Sequence, residues 1–188
     1  MPDFLIAPCP KCDCHCIAPK LPGRVCSTIT TCANFGLCDD PPPEEFPAYL
    51  QEYRPEDWIA KVSNPELKEV RFKAVDNCVP VLRPGGEMER RSDGLLLYNN
   101  EIAFVELKRR GTQGWLAEGI DQLTITIENF AESHPLDRYQ NVKAYVCNGQ
   151  HPLAVEGIGP ELQRFKDETA RILGNNGLNL IVDRNIKI

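Results

Sequence analysis

The chain has 188 residues, 42% hydrophobic and 26% charged, ordinary globular proportions that exclude extensive disorder and suit one domain with a small appendage. Its formal net charge of -6 excludes a general field attraction for nucleic acid, so any such binding must come from a local basic patch or from cations held at carboxylates. No apolar run approaches the roughly 18–20 residues that span a membrane, and Met1 to Pro10 lacks the regions of a secretory signal, so a cytoplasmic, reducing location is expected.

The chain opens with a cysteine cluster. Seven of the nine cysteines lie in it: Cys9, Cys12, Cys14, Cys16, Cys26, Cys32 and Cys38, with His15 among them. In a reducing compartment such a cluster favours metal over disulfides. Eight ligands suffice for two tetrahedral Zn²⁺ sites, and Cys9-Pro-Lys-Cys12 has the spacing of a half-site. The segment has too few apolar residues to fold without metal; the competing readings are a tail of free thiols or disulfides formed after export. Asp39-Asp40-Pro41-Pro42-Pro43 reads as a stiff linker. The expected division is therefore a Cys-rich metal-binding segment with its linker over 1–43, and an α/β domain over 44–188.

After the linker, Glu44 to Ala60 predicts one short helix, with Phe46, Leu50, Trp58 and Ile59 as its apolar members. Asn64-Pro65 reads as an N-cap followed by the first helical position, predicting a second helix to about Asp76. Cys78 to Leu82 is a short apolar run, and Arg83-Pro84-Gly85-Gly86 breaks regular structure. Gly94 to Tyr98 and Glu101 to Lys108 read as strands of a hairpin, joined by Asn99-Asn100, a pair that tolerates positive φ. Leu116, Ile120, Leu123, Ile127 and Phe130 then recur at helical spacing between Gly114 and Glu132. A strand over Asn141 to Cys147, a helix over Pro160 to Leu173 ended by Gly174, and a strand over Leu178 to Val182 complete an α/β sandwich with a mixed sheet. Cys78 and Cys147 are expected in the core.

Glu106 and Lys108 stand two apart on a strand, so their side chains leave one face. The apolar run Ala103-Phe104-Val105 before them reads as buried, and charges beside it need a partner. A hairpin turning at Asn99-Asn100 sets Asp93 opposite Glu106. Facing carboxylates repel until a divalent cation bridges them, and hard oxygen ligands suit Mg²⁺ or Mn²⁺. The competing reading is a solvated strand end, with Asp93 only capping a turn. Arg90-Arg91 and Arg109-Arg110 flank the pair and could grip phosphates; Trp115 reads as packing.

Asp93, twelve residues, then Glu106-Leu107-Lys108 resembles the motif of the PD-(D/E)xK, or restriction-endonuclease-like, nuclease superfamily over about Pro65 to Cys147. Ser92 stands where the motif has proline. The resemblance implies a mixed central sheet flanked by helices. It implies metal binding by Asp93, Glu106 and the Leu107 carbonyl, water activation by Lys108, and a supporting Gln122. A further metal-binding Glu on the preceding helix matches Glu69, with Glu66 as the second choice. The implied activity is Mg²⁺-dependent hydrolysis of phosphodiesters in nucleic acid, with DNA first, in restriction, repair or defence. Zn²⁺ at the N-terminal cysteines ranks above an iron–sulfur cluster, because only Cys147 follows the motif. Members of the class often act as dimers, and the small size leaves targeting to a partner protein. The alternative is a metal-binding interaction protein that uses an inactive nuclease-like scaffold.

Overall fold

A computed structural model describes residues 3–5, 26–41, 46–109, 114–150 and 157–188. The hairpin forms where the sequence places it. Strands β6 (Gly94–Tyr98) and β7 (Glu101–Lys108) pair antiparallel, with Gly94 opposite Val105 and Tyr98 opposite Glu101. Asn99 supplies the turn at φ 49°, a left-handed conformation that asparagine tolerates better than most residues. Strand β5 (Val70–Ala74) lies antiparallel to β6, and β1 (Ser27–Thr30) antiparallel to β5. On the other side, β8 (Asn141–Asn148) runs parallel to β7, and β9 (Leu180–Val182) parallel to β8. The sheet order is β1-β5-β6-β7-β8-β9.

Helix α1 (Trp115–Ser133) covers one face of this sheet. Leu116, Ile120, Leu123, Ile127 and Phe130 are its buried stripe, and Phe130 meets Phe104 of β7 edge-on at 5.3 Å. Residues 102–107 of β7 are buried without a break, as expected for a strand covered on both faces. A second, four-stranded sheet is built from β10 (Asn185–Lys187), β4 (Ala60–Ser63), β2 (Asn34–Cys38) and β3 (Tyr49–Gln51), in that order. Its Phe35, Leu37, Ile59 and Val62 share one continuous core with Val70 and Phe72 of β5. Helix α2 (Gly159–Leu173) ends at Gly174, φ 63°, as its sequence signals. The described residues are thus mixed α/β, with two sheets and two α-helices. Among the described residues no helix is long and apolar enough to cross a membrane.

Three expectations are corrected. The helix expected over 44–60 is absent from the described residues 46–60, which form β3, a turn with Arg54 at φ 58°, and the start of β4. Trp58 lies over Gly36 instead, so closely that a Cβ there would stand 1.9 Å from the indole. The helix expected over 65–76 is β5. Asn64 pins a loop rather than capping a helix: its Oδ1 accepts from the Lys68 N–H at 3.0 Å, and its Nδ2 donates to the Lys68 and Cys32 carbonyls. Leu67 then takes a positive φ of 52° that stops any helix. In Val70-Arg71-Phe72-Lys73-Ala74, the period-2 alternation outweighed the cap signal. Third, the boundary at residue 43 does not separate two bodies, because 27–38 pair into both sheets.

The cysteines bear on the same point. Cys26, expected as a metal ligand, is joined to Cys78 in a disulfide. It ties the start of β1 to the segment after β5. Cys38 is buried and Cys32 partly exposed, and burial pushes the Cys38 thiol up to about 12. Cys9, Cys12, Cys14, Cys16 and His15 lie outside the described residues. The disulfide spans 52 residues of sequence, and closing a loop of that length stabilises by roughly 2–4 kcal/mol. The double variant Cys26→Ser, Cys78→Ser should lose about that much in urea unfolding under oxidising conditions. Unchanged stability would show that the link contributes nothing.

Candidate active site

Strand direction decides which residues meet. Because β5, β6 and β7 alternate in direction, the end of β5, the start of β6 and the end of β7 share one sheet edge, together with the end of parallel β8. Asp76 follows β5, Asp93 precedes β6, and Glu106 and Lys108 close β7. The register of Gly94 with Val105 extends one step to set Asp93 across from Glu106. Gly94 lets β6 lie close against β5, since a Cβ there would stand 2.5 Å from the Phe72 ring.

Asp93 Oδ2 accepts the Leu107 N–H at 2.6 Å. In a strand a residue's N–H and C=O leave on the same side, so the Leu107 carbonyl faces the same flank. Glu106 is 1% exposed. Its Oε1 lies 2.9 Å from Lys108 Nζ, while Oε2 is buried without a hydrogen-bond partner. Lys108 Nζ also donates to Gln122 Oε1 at 2.7 Å, with Glu118 at 3.6 Å. Gln122 Nε2 in turn donates to the Arg91 carbonyl at 3.1 Å, and the Ser92 N–H donates to Thr126 Oγ1 at 2.8 Å. The two residues before Asp93 therefore hang from α1. The helix sits close, since a Cβ on Gly119 would stand 3.3 Å from Glu106 Cγ.

Burial raises Glu106 to about 7, against the opposing pull of Lys108. Burial also holds Asp93 well above the usual carboxylate range, with Glu106 and then Asp39 pushing the same way. For Lys108, burial favours the neutral amine, but the Glu106 carboxylate outweighs it and the net shift is upward. A pair of desolvated acids with one orphaned oxygen fits a hard divalent cation such as Mg²⁺ or Mn²⁺. The residues that could hold it are Asp93, Glu106 and the Leu107 carbonyl. Among the described residues no three His, Cys, Asp or Glu side chains converge on one point. A cation here would therefore have two protein carboxylates, leaving positions for the waters that Mg²⁺ keeps.

Glu69 is corrected. It is exposed and precedes β5, at the opposite edge, beside a smaller cavity lined by Tyr98 and Glu101. The five residues of β5 separate it from Asp93 by roughly 17 Å. Glu66 is exposed as well, and pairs with Lys68 at 3.2 Å. Both were placed by a helix that does not form. Arg91 is not free for phosphate: it holds Asp76 with two nitrogens, at 2.8 and 3.3 Å. Arg90 is exposed, Arg110 lies outside the described residues, and Trp115 is buried at the wall of the cleft.

Two acids at this edge escaped the sequence reading. Asp76 becomes legible once residues 70–74 are read as a strand. Asp39, read as linker, carried no local signal: Arg109 Nε donates to its carbonyl at 2.6 Å across 70 residues of chain. It lines a cleft of about 840 Å³ with Leu107, Lys108 and Arg109. Burial raises Asp39 to about 6, with Asp76 and Asp40 adding to the rise and Arg109 opposing it.

An acid whose folded pKa is raised contributes stability below its unfolded pKa and loses it as pH rises toward the folded value. For Glu106, from 4.5 to about 7, the loss is on the order of 3 kcal/mol. In EDTA, the stability of Glu106→Gln relative to wild type should therefore rise by about that amount between pH 4.5 and 8. Urea unfolding at a series of pH values checks this; a pH-independent difference would contradict the assigned shift.

Compared with models of protein families, with curated proteins and with solved structures, the chain matches none.

Proposed function

We propose that this chain is a Mg²⁺-dependent nuclease of the PD-(D/E)xK, restriction-endonuclease-like class, hydrolysing phosphodiester bonds in nucleic acid, with DNA as the expected substrate. The observation that carries the reading is the convergence of Asp93, Glu106 and Lys108 on one edge, with Lys108 held by Gln122. The mixed sheet, with a helix packed on the strand that bears Glu106, supports the same class. A role in restriction, repair or defence follows from that class.

Asp93, Glu106 and the Leu107 carbonyl would hold a divalent cation, which would supply a Lewis acid to hold phosphate and acidify water. The protein's own groups do the rest. Asp93 and Glu106 are brought to the same edge by hairpin register. Lys108 keeps its proton beside Glu106 and can orient the attacking water or offset charge building on the phosphorus oxygens. Gln122 fixes the Lys108 ammonium and, through the Arg91 carbonyl, ties it to the segment that delivers Asp93. With a net charge of -6, substrate attraction depends on the bound cation and on local bases such as Arg109.

The test is cleavage of linear duplex, circular and single-stranded DNA, and of RNA, with Mg²⁺, Mn²⁺ or EDTA. Cutting should need metal, and Lys108→Ala should slow it by about 10²-fold or more. Cutting that persists in EDTA, or that Lys108→Ala leaves intact, would refute the assignment. Metal binding without cutting of any substrate would favour the inactive scaffold.

A further inference from the structure

The segment that leads into Asp93 is held at every residue, and by two different elements. On one side is α1: the Arg91 carbonyl accepts from Gln122 Nε2 at 3.1 Å, and the Ser92 N–H donates to Thr126 Oγ1 at 2.8 Å. On the other side is the turn after β5. The Asp93 carbonyl accepts the Val75 N–H at 2.9 Å, and the Arg91 side chain reaches the next residue, its Nε and Nη2 both donating to Asp76 Oδ1 at 3.3 and 2.8 Å.

That turn is a firm anchor. The Cys78 and Val79 N–H groups both donate to the Val75 carbonyl, at 3.1 and 2.8 Å. Cys78 is bonded to Cys26, whose carbonyl accepts the Ala74 N–H at 2.9 Å. Asp76 therefore stands in a turn closed by its own backbone and linked covalently to the residue before β1. Its partner Arg91 is 7% exposed, and an ion pair so desolvated gains little over apolar groups of the same shape. Stability is thus a weak reason for the pair, whereas its geometry is specific. Two nitrogens meet one Asp76 oxygen while Nη1 turns to Met88 Sδ at 3.6 Å, which fixes the planar guanidinium in one orientation. Without it, residues 91–93 would be tied to the β5 side by the Val75 bond alone.

We propose that the Asp76–Arg91 pair positions Asp93 for the cation, clamping the chain that delivers Asp93 to the turn after β5 while Gln122 and Thr126 clamp it to α1. The inference rests on the metal-site part of the proposed function. Asp76 and Arg91 are positioning residues, acting through Asp93 rather than on the ion, as outer partners of metal ligands do.

The test is calorimetric titration of the whole chain with Mn²⁺ at pH 8, run well below each variant's melting temperature in EDTA, so that lost stability alone leaves the affinity unchanged. Arg91→Ala, Arg91→Gln, Asp93→Asn and the double variant Asp76→Asn, Arg91→Ala are compared with wild type and with Asp76→Asn. Charge and positioning then predict opposite signs. Removing the Arg91 charge should by its field alone tighten binding of a cation. Loss of positioning should instead weaken it, by about 10-fold or more in Arg91→Ala. Arg91→Gln should shift the same way, and decides the matter if the alanine variant does not fold. The double variant should lose less than the product of the two single losses, because the pair acts as one unit. Wild-type or tighter binding in Arg91→Ala or Arg91→Gln, with binding lost in Asp93→Asn, would overturn this inference and leave the metal site standing. A double loss equal to the product would overturn the pair as a unit. Wild-type protein that binds no Mn²⁺ would overturn both the inference and the metal site beneath it.

Discussion

The organisation of this protein depends on one unfavourable placement, a glutamate carboxylate at the end of a strand whose two faces are both covered. Glu106 is buried as thoroughly as its apolar neighbours, and an ionised carboxylate there is tolerated only with compensation. Lys108 supplies half of it, two residues along the same face. The other oxygen is left without a partner. The surroundings serve this pair: α1 comes close enough that a Cβ at position 119 would press on Glu106 and Val146 at 3.3 Å, and Gln122 holds the ammonium in place. A core built for stability alone would have put apolar groups at both positions.

The two sheets contribute differently. The six-stranded sheet fixes geometry, because hairpin register sets the Asp93–Glu106 relation and parallel β8 buries the strand that carries it. The four-stranded sheet contributes a wall, bringing Asp39, Trp58 and Ile59 to the cleft across from Lys108. Crevices beyond the carboxyl ends of parallel strands are favoured positions for ligands, and the ends of β7 and β8 open onto this one.

Much of the site was legible in the sequence because it is local. Asp93, Glu106 and Lys108 lie on one hairpin, and counting outward from Asn99-Asn100 predicts their pairing without any long-range knowledge. Gln122 was legible through the helical period that follows. What failed had competing local signals or none. Asn64-Pro65 looks like a helix start, yet the five residues from Val70 alternate as a strand, and sheet pairing on both sides outweighed the cap. That single misreading moved the expected acid to Glu69, at the wrong edge. Asp39 had no local signal, since a contact across 70 residues is set by the packing of two sheets. Cys26 and Cys78 are likewise 52 residues apart, and composition alone favoured metal for the first of them.

Ser92 directly precedes Asp93, and its backbone N–H is in use, donating to the buried Thr126 hydroxyl. Proline has no N–H to give. The residue at 92 and the residue at 126 are therefore one choice made at two sites. A proline at 92 would take away the donor that the buried Thr126 hydroxyl accepts from, and would be better tolerated with an apolar residue at 126. A threonine at 126 thus constrains residue 92 to be anything but proline, although 34 residues of sequence lie between them.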